Sequence, residues 1–80
     1  MARDLTAAQR RVLEALSPVS WTAGRRVLPY PERPPTQTLW ALERAYLAES
    51  RTRKDMWTVV EWRRTPAGTA ALEERDRDGA

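Results

Sequence analysis

The sequence predicts a mainly helical α+β domain, with three helices around one core, a two-stranded β-hairpin and a closing C-terminal helix. Three observations carry that expectation. Apolar residues recur at helical spacing in 5–16 and again in 36–48. The run from Trp57 to Arg64 is rich in Trp, Thr and Val and alternates with period two, as a strand does. Thr65-Pro66 then reads as a helix cap followed by proline at the first helical position. Eighty residues hold one core, so 1–80 is a single domain, with an ordered core over about 5–74 and a frayed tail over 75–80.

The first helix occupies 5–16. Thr6 caps it and Gln9 reaches back to close a capping box. Ala8, Val12, Ala15 and Leu16 form its apolar stripe, with Leu13 beside them, and Ser17-Pro18 ends it. Arg10 and Arg11 fall on the solvated side. Val19-Ser20-Trp21 has the character of a strand stub. Thr22 caps a brief helix through Leu28, which Pro29 stops. Tyr30-Pro31-Glu32-Arg33-Pro34-Pro35 is a stiff extended turn, with three prolines in six residues.

The longest helix is expected over 36–48 with Thr36 as its cap. Thr38, Leu39, Leu42, Ala45 and Tyr46 share its inner face. Gln37, Ala41, Arg44 and Ala48 share the outer face, with Trp40 on its margin and no acid at its centre. Residues 47–52 form the outgoing strand of the hairpin, 53–56 its polar tip and 57–64 the returning strand. Period two turns Val60 and Trp62 inward and Trp57 and Val59 outward. A helix from Ala67 to about Asp76 closes the chain.

Composition excludes several kinds of chemistry. There is no Cys and no His, so disulfides, Cys/His zinc sites and Cys or His catalysis are ruled out. Three serines have no histidine to activate them, and three isolated glycines make no phosphate loop. Neither catalysis nor a cofactor or metal is expected. No apolar run approaches a membrane span, and the first residues lack a secretory signal's apolar stretch. The expectation is a cytoplasmic domain with no membrane partner. The net charge is +3, with the basic excess in 17–35 and 51–65 and an acidic C-terminal end. Every basic residue except Lys54 is an arginine, the side chain suited to bidentate phosphate and guanine contacts.

This order of elements resembles a winged helix-turn-helix, and three strings carry the resemblance over about 5–74. Leu5-Thr6 leading to Val12-Leu13 resembles the opening of MarR-, PadR- and BlaI-like regulators. Thr38-Leu39-Trp40-Ala41-Leu42-Glu43-Arg44-Ala45-Tyr46-Leu47-Ala48-Glu49 is similar to their recognition-helix string. Trp62-Arg63-Arg64-Thr65-Pro66-Ala67-Gly68 resembles the segment joining wing to closing helix. Tyr46 stands where these regulators usually carry a left-handed glycine, so the helix is expected to run longer or leave at another angle. Arg64 stands where they usually have a core leucine, and must reach solvent or pair with Glu73 or Glu74.

The resemblance implies a small stand-alone DNA-binding protein, a transcriptional regulator acting on double-stranded DNA as a homodimer. Helix 36–48 would read the major groove: Gln37 suits adenine, Arg44 guanine or phosphate, Thr36 and Thr38 phosphate or a thymine methyl. Trp40 and Ala41 lie on the same face, Trp40 either stacking at the interface or packing beside the Pro-rich turn. Arg51, Arg53 and Lys54 at the wing, Arg63 on the adjacent strand, and Arg25 and Arg26 on the short second helix would hold the backbone. The rival reading is a protein-interaction module on the same fold, a phage or accessory protein that modulates a polymerase, nuclease or other partner. Trp57 and Val59 would then be the protein interface.

Overall fold

The computed structural model describes residues 5–78. It contains helix α1 (Ala7–Ala15), strand β1 (Thr22–Ala23), a 3₁₀ turn (Gly24–Arg26), helix α2 (Thr36–Arg44), strands β2 (Ala48–Lys54) and β3 (Thr58–Arg64), and helix α3 (Pro66–Asp78). The strands form one antiparallel sheet in the order β1-β3-β2. The fold is therefore α+β, with three helices and a three-stranded sheet rather than a hairpin alone. No helix among the described residues is long and apolar enough to cross a membrane.

α1 begins as its sequence dictates. Thr6 Oγ1 accepts the Gln9 amide hydrogen bond while the Gln9 side chain accepts the Thr6 amide, so two of the helix's orphan donors are satisfied. Its buried stripe differs from the one expected: Ala8 and Ala15 are exposed, and Leu5, Val12, Leu13 and Leu16 enter the core. Leu39 and Leu42 meet them from α2, with Val27, Ala48, Trp62 and Leu72 completing the cluster.

The strand stub lies two to three residues later than expected, and part of the cause is local. Ser17 Oγ accepts the amides of both Val19 and Ser20, which folds 17–20 into a turn. Only Thr22 and Ala23 remain extended, opposite Trp62 and Glu61. Thr22 is thus in the sheet and caps nothing. The expected helix over 23–28 shrinks to the 3₁₀ turn, which has no side-chain cap. Gly24 permits that turn to lie against Trp62, since a Cβ there would stand 3.3 Å from the indole Nε1.

The Pro-rich stretch follows, with a cis peptide bond between Tyr30 and Pro31. Arg11 clamps it to α1 through two hydrogen bonds from its guanidinium to the Glu32 carboxylate, so Arg11 is not merely solvated. These bonds raise the Arg11 pKa and hold Glu32 below its ordinary value. Arg10 is also paired, with Glu14 at 3.0 Å.

α2 is shorter than expected. Thr36 is its first residue and not its cap, Pro35 precedes it without a side-chain cap bond, and the helix stops at Arg44. The stop is a complete Schellman motif: Leu47 N–H donates to Leu42 O at 2.9 Å and Tyr46 N–H to Glu43 O at 3.0 Å. Tyr46 supplies the left-handed residue at φ 63°, where glycine is usual. The helix therefore neither runs on nor keeps Ala45 and Tyr46 inside; both are exposed, while Ala48 is buried in β2.

β2 and β3 pair in register from Ala48↔Arg64 to Lys54↔Thr58, so the tip is 55–57 rather than 53–56. Trp62 is buried and Val60 packs on the core, whereas Trp57 is 72% exposed; Val59, expected outside with Trp57, is half-buried, and Glu61 on the same outer face is buried because it pairs with Arg51. Arg64 turns inward, donating to Leu13 O and Thr69 Oγ1 at 3.0 Å, and pairs with neither Glu73 nor Glu74. Thr65 starts α3 by accepting the Gly68 amide, and its own hydroxyl donates to Tyr46 O at 2.7 Å. α3 continues past the expected end near Asp76; the last two residues of the expected frayed tail, Gly79 and Ala80, lie outside the described residues, as do 1–4.

Candidate nucleic-acid interface

The fold divides the basic side chains into two sets. The first is tied up within the molecule. On the outer face of the sheet, Arg51 stands opposite Glu61 and Arg63 opposite Glu49 in register. Arg51 Nε donates to Glu61 Oε1 at 2.9 Å, and Arg63 Nε donates to Glu49 Oε1. Both guanidiniums also lie on the Trp21 ring, 4.6 and 4.4 Å from its centroid. Glu61 is 8% exposed beneath this arrangement, so Arg51 neutralises a buried carboxylate. Arg51 and Arg63, expected at the DNA backbone, are thus each engaged with an acid and an indole of the protein itself. Sequence alone does not reveal this, because the acids lie ten and fourteen residues away and meet the arginines only through strand pairing.

The second set is free. Among the described residues Arg25, Arg26, Arg33, Arg44, Arg53 and Lys54 are exposed and enter no ion pair. One of them, Arg25, lines a groove between the start of α2 and the far half of the hairpin. Arg26 and Arg33 follow and precede its lining residues Arg25 and Pro34 along the chain. Arg53 and Lys54 stand opposite Val59 and Thr58, which also line it. Arg44 stands apart at the last turn of α2, where a cation also complements the helix dipole. Arg33 was not singled out from the sequence; its place immediately before the Pro-Pro lead into α2 was the available signal.

The outer face of α2 presents Thr36, Gln37, Trp40, Ala41 and Arg44, all exposed, with Thr38 half-buried. The acid nearest this face is turned away, since Glu43 accepts a hydrogen bond from Ser50 Oγ on β2. Trp40 packs edge-on against Trp62, with centroids 5.1 Å apart and planes at 83°, yet keeps 44% of its surface in solvent. It is both a core lid and a wall of the groove. Trp57 forms the opposite wall with Val59, which is half-buried.

Chemically, the surface offers cations, one amide, two hydroxyls and indole faces. No three acidic side chains converge on a metal-sized site among the described residues. Such a surface suits a polyanion with flat apolar elements. Comparison with protein-family models, with curated proteins and with solved structures returns no match for this chain.

Proposed function

We propose that this protein is a winged helix-turn-helix that binds double-stranded DNA and regulates transcription, with α2 in the major groove and the β2–β3 hairpin as its wing. The observation that carries the reading is the partition of the cations: Arg10, Arg11, Arg51 and Arg63 pair with acids of the protein itself, whereas Arg25, in the groove beside the acid-free face of α2, and Arg53 and Lys54, at the far end of the hairpin, enter no ion pair among the described residues. The sheet order β1-β3-β2, with α2 leading directly into the hairpin, supports the same reading. Gln37 is the base-reading candidate and Arg25, Arg26, Arg33, Arg53 and Lys54 the phosphate contacts. One copy has a small footprint, so a two-fold dimer on the duplex belongs to the proposal.

Fluorescence anisotropy on a random duplex at several salt concentrations tests it. Five or six phosphate contacts give a log-affinity slope of about −5 per decade of salt. Replacing Arg53 and Lys54 with glutamine flattens that slope by about 2 and weakens all duplexes alike. Gln37→Ala costs about 1–3 kcal/mol on a preferred site and almost nothing on random DNA. Absence of salt-sensitive binding up to the solubility limit refutes the proposal. The second reading, a protein-interaction module, then takes its place, supported by the exposed Trp57 and the apolar wall of the groove.

A further inference from the structure

The hairpin ends in an unusual way for a basic wing. Its loop is only three residues, closed by the Lys54↔Thr58 pair and by a hydrogen bond from Asp55 N–H to Trp57 O at 3.1 Å. Two of those three are large and apolar, and both face solvent: Met56 is 83% and Trp57 72% exposed. Exposed charge is the usual protection of a hairpin end, and here it stands immediately behind the apex, at Arg53 and Lys54, with no ion pair on either. β1 pairs no further along β3 than Glu61, so the last three pairs of the hairpin project past the third strand as a two-stranded ribbon.

We infer that Met56 and Trp57 form an apolar wedge that enters the minor groove and opens a base step, kinking the duplex, while Arg53 and Lys54 hold the flanking phosphates. This rests on the DNA-binding reading above and deepens it. The minor groove, about 6 Å wide, admits an apex side chain but no helix. Proteins that insert apolar side chains there unstack a step and bend the duplex by about 20–90°. Charge complementarity selects DNA as the occupant, because the two cations adjacent to the wedge lack acidic partners in the protein. Asp55 is the opposing charge in the apex, and its removal strengthens the contact. Pyrimidine–purine steps, which unstack most easily, are the preferred insertion points.

The test is resonance energy transfer across an end-labelled duplex carrying one central TA step, read with anisotropy and a thermal melt of each variant. The wild-type protein shortens the end-to-end distance. Met56→Ala/Trp57→Ala melts as wild type, keeps the salt slope, loses the bend and binds the TA duplex about tenfold more weakly. Trp57→Phe retains the bend, and Asp55→Asn tightens binding severalfold. Salt-sensitive binding to a straight duplex by the wild-type protein overturns the wedge and leaves the DNA reading standing, as does a double variant that bends DNA normally. A duplex that is not bound at all overturns both.

Discussion

Replacing Gly68 with alanine is expected to destabilise the protein, although glycine to alanine within a helix ordinarily gains up to about 1 kcal/mol. The reason lies across the chain. A Cβ on Gly68 would stand 2.1 Å from the Leu47 carbonyl oxygen and 2.8 Å from Arg64 Cγ, against 3.4–4 Å for ordinary contact. The oxygen belongs to the backbone just after the Schellman turn and cannot rotate away. α3 must retreat instead, by about an ångström. That same oxygen accepts the Thr65 amide at 3.1 Å, and Thr65 also caps α3 and bonds Tyr46 O, so the retreat loosens the joint between α2 and α3. Overpacking costs about 1–3 kcal/mol, and a backbone obstacle places this site at the upper end. Subtracting the helix gain leaves a loss of about 2 kcal/mol. For a domain of this size that lowers Tm by about 8–16 °C. Calorimetry or circular-dichroism melts measure it, with Ala70→Gly on the exposed side of α3 as a reference for helix propensity alone. A Gly68→Ala protein that melts at or above the wild-type temperature would refute the close approach of α3 to Leu47.

Tyr46→Gly should stabilise by about 0.5–1 kcal/mol in urea unfolding, because it relieves a left-handed tyrosine that is 80% exposed; a loss would mean that the ring makes contacts worth more than the strain. Trp62→Ala should cost about 3–5 kcal/mol, whereas Trp57→Ala should stay within about 0.5 kcal/mol, so equal melts would sink the inside-outside register of β3. Arg51→Gln leaves the buried Glu61 without its cation and should cost about 1–3 kcal/mol with the DNA salt slope unchanged; a flattened slope would place Arg51 on the duplex. The Arg11 hydrogen bonds depress the Glu32 pKa, so their stabilisation is present above the ordinary carboxylate range and is lost as pH falls through the depressed value. NMR titration should show Glu32 below that range and returning to it in Arg11→Gln; an ordinary midpoint in the wild type would count against the clamp.

Local chemistry was legible in the sequence wherever the partners lie within a few residues. The Thr6/Gln9 capping box, the Thr65-Pro66 start of α3 and the inward Val60 and Trp62 all follow from spacings of two or three residues. Such contacts depend on the geometry of one helix turn or one strand pleat, which the chain specifies by itself. The presence of a Pro-led helix carrying an acid-free face, and of a basic hairpin after it, was readable for the same reason.

Tertiary structure decided what depends on distant partners. α2 stops at Arg44 rather than near 48 because Leu47 and Tyr46 close a Schellman turn on which Thr65 and α3 dock, and that docking holds a tyrosine in a glycine's conformation. β1 falls on Thr22–Ala23 because β3 offers it Trp62 and Glu61 as partners while Ser17 folds the residues before it. Which arginines are paired was decided in the same way. By residue type Arg51 and Arg53 are equivalent, two positions apart on one strand. Strand pairing sets Arg51 against a buried glutamate and Arg53 against a valine, so one charge is paired inside the protein and the other enters no ion pair among the described residues.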